Sequence, residues 1–327
     1  MIMARACGQV IAASRNRESG FTLVEVMSAL AILAVAMTAV FATFTTQQKS
    51  FTVQSRVAEM QQNLRQAAEY MTRDIRLAGY GIPANVAIPN GVVAAGVTTM
   101  RSLYAKDNTT GPDEIYVLYL YDMDANQPPT TNTSAMPSGA GLVNVASTTG
   151  FVALGGELVL VTDGSTAADL FETSAAGGGV LTFGGGYNYN AIAHAGYGLG
   201  PPPATVAKAR FIRYFIDASD PEHPTLMVDR MAGAGQPPQP LADDIEDMQL
   251  TYGVDTGSDG VVDSWTTTPT LTQVRQVRLQ LLARTRTPDR DWSETRPALG
   301  NHAAGAAADG YRRRVADVVI DVRNSGI

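Results

Sequence analysis

A long apolar run near the N-terminus, broken by one carboxylate, constrains this chain more than any other feature. Phe21 to Phe44 reads FTLVEVMSALAILAVAMTAVFATF, and Glu25 is its one ionisable residue. As a helix rising 1.5 Å per residue the run spans roughly 36 Å, enough for a bilayer core of about 30 Å. A carboxylate inside such a run costs on the order of 2.5–3.5 kcal/mol, so it demands a partner. The run itself offers no cation. A cut after Gly20 would place the new amine of Phe21 beside Glu25, its own or that of a neighbouring copy, and so couple subunits.

The stretch GFTLVE, with a short basic leader before it (Arg5, Arg15, Arg17) and an apolar helix after it, resembles the class III signal of type IV prepilins and pseudopilins. That resemblance implies cleavage between Gly20 and Phe21 by a prepilin peptidase and N-methylation of Phe21. It also implies that Glu25 registers each subunit in a fibre. Ordinary secretion competes, with Ala34-Val35-Ala36 as the cleavage site, but it leaves a glutamate in the apolar core without purpose. An uncleaved anchor is the other competitor. In the prepilin and anchor readings the basic leader stays cytoplasmic and the C-terminal bulk goes outward.

Composition fits export. The net charge is −7; without residues 1–20 the chain holds 21 basic and 30 acidic residues, net −9. Such acidity argues against nucleic acid as the main partner, because phosphate binding asks for a basic stripe. The one cysteine, Cys7, lies in the leader, so the remainder has no disulfide, thiol nucleophile or cysteine metal site. Stability must come from core burial.

The helix is expected to continue past the apolar run. Val57, Met60, Leu64, Ala67, Met71, Ile75 and Ala78 recur at spacings of three and four, with Gln61, Arg65, Glu69 and Arg73 between them. That stripe predicts one continuous helix over 21–78, its second half amphipathic and packed on a sheet. Gly79, Gly81 and Pro83 end it. Beyond them, β-branched and aromatic runs predict strands at Glu114–Tyr121, Glu157–Thr162, Val180–Phe183, Lys208–Asp217, Thr225–Arg230, Met248–Val254, Val274–Arg284 and Arg314–Arg323. Leu241–Met248 (LADDIEDM) reads as a short helix turning into a strand. Gln127–Gly141, Gly196–Pro203 and Gly233–Pro240 read as loops, and Ala298–Gly310 as a mobile excursion between the last two strands. The fold class expected is α+β: a long N-terminal helix on an antiparallel β-sheet head. The segments are a leader (1–20), a membrane and fibre-core helix (21–44), its amphipathic continuation (45–82) and the head (83–327), with a head of two lobes the less simple alternative.

The sharpest motif of the head is Asp255-Thr-Gly-Ser-Asp259-Gly260-Val261-Val-Asp263. Acidic residues at loop positions 1, 5 and 9, with Gly at 6 and the carbonyl of Val261 at 7, match a calcium loop. Gly257 and Thr266 replace two ligands, which predicts modest affinity, and a β-hairpin turn is the competing reading. His194, His223 and His302 lie in loop-like stretches without metal spacing and read as solvent-exposed. Asp243, Asp244, Glu246 and Asp247 read as a solvated turn of helix. Arg312-Arg313-Arg314, flanked by Asp309 and Asp317, reads as a salt-bridged edge. The Gly177 and Gly184 triplets lack a following Lys-Ser/Thr, and no G-x-S-x-G elbow exists, so no enzyme is expected.

Within the superfamily the later features resemble the PilW family of minor pilins. They are RDIRLAGYG at 73–81, DEIYVLYLY after Pro112, LTYGVD at 250–255, VRQVRLQLLAR at 274–284, and YRRRV at 311–315 leading to VRN at 322–324. The resemblance implies a minor pilin that primes assembly of a type IV pilus and sits at or near its tip. It implies other minor and major pilins, a prepilin peptidase and the inner-membrane assembly platform as partners. The chain would lie in the inner membrane with its head in the periplasm, then in the fibre on the cell surface. A J-type pseudopilin of type II secretion is the alternative, and a monomeric membrane-anchored adhesin a further one.

Overall fold

Helix α1 (Leu23–Leu77) runs unbroken through the expected stretch. The computed structural model describes residues 20–83, 85–88, 93, 96–121, 129–152, 156–165, 167–188, 196–230 and 237–324. The leader up to Ser19, His194 and parts of the loops expected near 127 and 233 lie outside them. Residues up to Gln54 and residues from Ser55 onward are two compact units, and each is described by itself.

In the first unit the apolar side chains face outward, Phe21, Leu23, Val24, Leu30, Ile32 and Phe41 among them. This helix is long and apolar enough to cross a membrane. Its hydroxyls are bonded back to the helix: Thr38 donates to the Ala34 carbonyl, Thr43 to Ala39 and Thr46 to Ala42. That removes the cost of carrying bare hydroxyls into an apolar medium.

In the second unit, α1 buries the predicted stripe. Met60, Leu64, Ala67, Met71, Ile75 and Ala78 are buried, and Val57 packs partly against them. Each large side chain buried contributes about 1.5–3 kcal/mol. The helix ends where Gly79 adopts φ +76° and donates its N–H to the Leu118 carbonyl at 2.8 Å. A Cβ there would lie 2.3 Å from the Asn324 carbonyl oxygen, so both conformation and space require glycine.

Among the described residues the head holds twelve principal strands. They are β1 (Leu103–Lys106), β2 (Glu114–Leu120), β3 (Leu158–Thr162), β4 (Ala168–Gly177), β5 (Val180–Asn188) and β6 (Thr205–Asp217). They continue with β7 (Thr225–Asp229), β8 (Gln239–Asp243), β9 (Ile245–Val254), β10 (Ser264–Thr266), β11 (Val274–Arg284) and β12 (Arg313–Asp321). The larger sheet follows the path β8–β7–β6–β3–β4, with β2 also on β6, β1 on β2 and β5 on β4. The smaller is β10–β9–β11–β12, antiparallel throughout.

Several strands are buried on both faces and join separate cores, β2 and β3 among them. In β2, Ile115, Val117 and Tyr119 face the α1 core, while Tyr116, Leu118 and Leu120 face a second core. In β3, Leu158 and Leu160 join that second core, and Val159 and Val161 a third. Near-continuous apolar runs are what two-sided burial requires. On β11 the alternation is as expected: Val274, Val277, Leu279, Leu281 and Ala283 all enter the α1 core.

Three expectations need correction. LADDIEDM forms no helix: β8 and β9 meet at Asp244, which sits at φ 60°. Leu241, Ile245 and Met248 have helical spacing, but β7 and β11 offer strand partners on either side and the left-handed residue breaks the run between them. The strand β4 (ADLFETSAAG) was not expected, because Asp, Glu, Ala and Gly are poor strand formers. It is held by β3 and β5. Residues 298–310 are tied down rather than free: Leu299 and His302 form a bridge, and Ala308–Asp309 pairs with Glu294–Thr295.

Candidate functional site

The expected processing residues stand at the start of α1. Gly20 precedes the helix and Phe21 is exposed. Thr22 caps the helix, its Oγ1 accepting the Glu25 N–H at 3.3 Å, as in a Thr-x-x-Glu capping box. Glu25 therefore sits in the first turn, where the helix dipole places partial positive charge near a carboxylate. Sequence reading missed this local support, although Thr-x-x-Glu signals it. No cation lies within ion-pair distance of Glu25 among the described residues, so a full counter-charge has to come from elsewhere.

The head is fastened by buried carboxylates. Asp74 lies on the apolar stripe of α1, between Met71 and Ile75, and its oxygens accept two tyrosine hydroxyls. Tyr119 of β2 donates to Oδ1 at 3.1 Å and Tyr214 of β6 to Oδ2 at 2.5 Å. Burial, with the Asp74 charge adding to it, pushes the Tyr119 hydroxyl up to about 12 and that of Tyr214 further up, so both remain donors at physiological pH. A charged residue on an apolar stripe was the available signal.

The acidic run 243–247 is likewise structural, not a solvated helix. Asp247 is buried on β9; its Oδ2 accepts from Arg296 Nη1 at 3.0 Å and faces His302 Nδ1 at 2.8 Å. His302 is thus a half-buried partner, and His223 similarly meets Asp244 at 3.1 Å. Glu246 receives Arg313, which also pairs with Asp309 at 2.6 Å. Arg312 pairs with Asp289, and Asp317 with Arg278 rather than the arginine triplet.

Asp113, buried at the start of β2, accepts the N–H groups of Asn108 and Leu250, each at 2.8 Å. Burial first, and then the nearby charges of Asp107 and Asp247, push its carboxyl up to about 7. The native state therefore holds this proton where the unfolded chain, near 3.8, has released it. Its contribution is full below the unfolded value and is lost as pH rises through the folded one. Compared with Asp113→Asn, the parent is expected to lose stability from about pH 4 to about pH 7 and then run level. Urea midpoints of the two proteins across that range test it; parallel curves would remove the effect.

The Asp255–Asp263 loop is closed by its own hydrogen bonds. Asp255 is buried, accepts the Gly260 N–H at 2.8 Å, and pairs with Arg275 at 3.0 Å. Against the upward pull of burial, these bonds hold its carboxyl below the usual range. Asp263 accepts the Thr256 hydroxyl at 2.7 Å and the N–H groups of Thr256 and Gly257, which lower it likewise. Asp259 accepts the Val261 N–H, and Val261 is exposed. The residues as placed do not fit a calcium ion, because Arg275 and backbone donors hold the carboxylates it would need. Melting is expected to be the same with calcium and with chelator, and Asp255→Ala to melt lower in both. A rise in melting temperature with calcium, abolished in that variant, would restore the metal.

The sequence comparisons agree with this architecture. Residues 213–324 match the family model described as type IV pilus-assembly protein W, and residues 15–41 match the prokaryotic N-terminal methylation motif. One solved structure to which the chain is similar is a type IV-like pilin from Thermus thermophilus, 12% identical, with a TM-score of 0.37, covering 81% of this chain and 96% of that one. No curated protein matches. The methylation-motif match takes in the capped start of α1, and in this the chain is similar to type IV pilin-like proteins. The type IV pilus-assembly protein W match runs from the end of β6 through β12 and takes in the whole smaller sheet.

Proposed function

We propose that this chain is a minor pilin that primes assembly of a type IV pilus and is incorporated at or near its tip. The observation that carries the reading is the outward-facing apolar helix with Glu25 in its first turn and no cation beside it among the described residues. Cleavage after Gly20 frees the Phe21 amine, and N-methylation leaves it able to carry charge. In the fibre that amine pairs with Glu25 of an adjoining subunit and fixes the helix register. A mispaired register leaves a carboxylate in apolar surroundings at about 2.5–3.5 kcal/mol. The partners are other minor and major pilins, the prepilin peptidase and the inner-membrane assembly platform. The head stays in the periplasm until the subunit enters the fibre. The PilW match favours a pilus over a type II secretion pseudopilin, and the head acts as a structural and binding module, not an enzyme.

The test is the mass of the N-terminal peptide of the protein extracted from native membranes. A start at Phe21 with one added methyl is expected; a start at Met37 or Met1 would mean ordinary secretion or plain anchoring. Glu25→Ala is expected to be processed and folded, yet recovered in sheared pili at under about a tenth of the parent level, since 1.4 kcal/mol is already a factor of ten. Undiminished recovery would remove the charge-pairing account.

A further inference from the structure

Three arginines without a counter-charge among the described residues gather in one groove of this acidic chain. A groove of about 1000 Å³ opens between α1 and the end of β12, with Arg65, Arg76 and Arg323 along it and Leu77 and Val318 among its apolar lining. Several arginines elsewhere in the head are matched: Arg275 with Asp255, Arg296 with Asp247, Arg312 with Asp289, Arg313 with Glu246. In the groove, Arg65, Arg76 and Arg323 are exposed and have no carboxylate within ion-pair distance among the described residues. Arg73 stands 3.8 Å from Asp74, and Glu69 is the one acid in the lining.

The same groove borders an open sheet edge. β12 is the last strand of its sheet and pairs with β11 alone among the described residues. Its second edge carries backbone N–H and C=O groups that a further strand could take up, and Val315 and Val319 flank it on the outer face, 44% and 49% exposed. Open edges with apolar neighbours are templates for strand addition.

We propose that this groove docks an extended, carboxylate-bearing segment of another protein, which adds to β12 as a strand and sets its acids on Arg65, Arg76 and Arg323. The combination selects the occupant. A second copy of this chain would bring an identical positive groove across a two-fold axis. A lipid or nucleic acid would answer the charge but not the alternating donors and acceptors of a strand edge.

The experiment uses the full-length chain in detergent micelles and a fluorescent octapeptide of alternating Glu and Val. Saturable binding is expected by anisotropy, weakened about tenfold or more by Arg65→Glu with Arg323→Glu, a change of about 1.4 kcal/mol. A peptide N-methylated at alternate amides is expected not to bind, nor its Lys–Val counterpart. Both arginines are exposed, so the variant should melt with the parent; if it does not, Arg76→Gln and Arg323→Gln, singly, replace it. Absence of saturable binding overturns the proposal, as does equal binding of the N-methylated peptide. So does preferential binding of duplex DNA or phosphatidylglycerol vesicles at these arginines, or a dimer of the chain that the variant dissociates. The measurement needs no N-terminal processing, so its failure is separable from failure of the pilin reading.

Discussion

Asp74→Ala is expected to destabilise the head by about 2–6 kcal/mol, because it strands two buried tyrosine hydroxyls at about 1–3 kcal/mol each. The side chain stands within the apolar stripe of α1, 7% exposed, and it joins α1 to both Tyr119 and Tyr214. Its contact with Arg73 adds little, since that arginine is largely solvated and 3.8 Å away. Tyr119→Phe and Tyr214→Phe, each placed in the Asp74→Ala background, should recover part of the loss by removing a stranded donor. Urea unfolding of the parent, Asp74→Ala, each Tyr→Phe single and each double closes two cycles that isolate the two couplings. A loss below about 1 kcal/mol for Asp74→Ala would mean that the hydroxyls find other partners.

Asp247→Ala is expected to cost about 3–5 kcal/mol, the range for breaking a buried ion pair from one side. Four groups lose their acceptor together: Arg296, His302, the Met248 N–H and the Gln249 amide. Arg296 is also bonded to the Ala303 carbonyl, so the carboxylate pins residues 296–303 against β9. The loss should therefore show twice, in global unfolding and in faster proteolysis between Pro297 and Gly305. Asp247→Ala with Arg296→Met should cost less than the sum of the two changes, because no unpaired guanidinium then remains. Additivity would show that the pair does not act as one unit.

The legible part of this protein is what each segment decides for itself. The apolar run and the three-four spacing from Val57 to Ala78 announced one helix, and α1 covers it from Leu23 to Leu77. A helix closes its backbone hydrogen bonds within its own segment, so local pattern suffices. The Thr-x-x-Glu start and the Gly79 stop are local in the same sense. Strands with clear apolar alternation, such as Val274–Arg284, were also readable to the residue.

Tertiary structure decided whatever needed a distant partner. β4 is a strand because β3 and β5 lie on either side of it, not because of its composition. LADDIEDM carries helical spacing yet becomes two strands, since β7 and β11 take up its backbone and Asp244 accepts a left-handed turn. The same acids looked solvated in sequence and are buried or paired in the fold, because Arg296, His302 and Arg313 reach them from 49 to 67 positions away. Loop closure over such distances has no local signature. The N-terminal segment was thus determined by hydrophobic pattern and one misplaced charge, and the head's fastening by which carboxylates met which arginines and tyrosines once the sheets had formed.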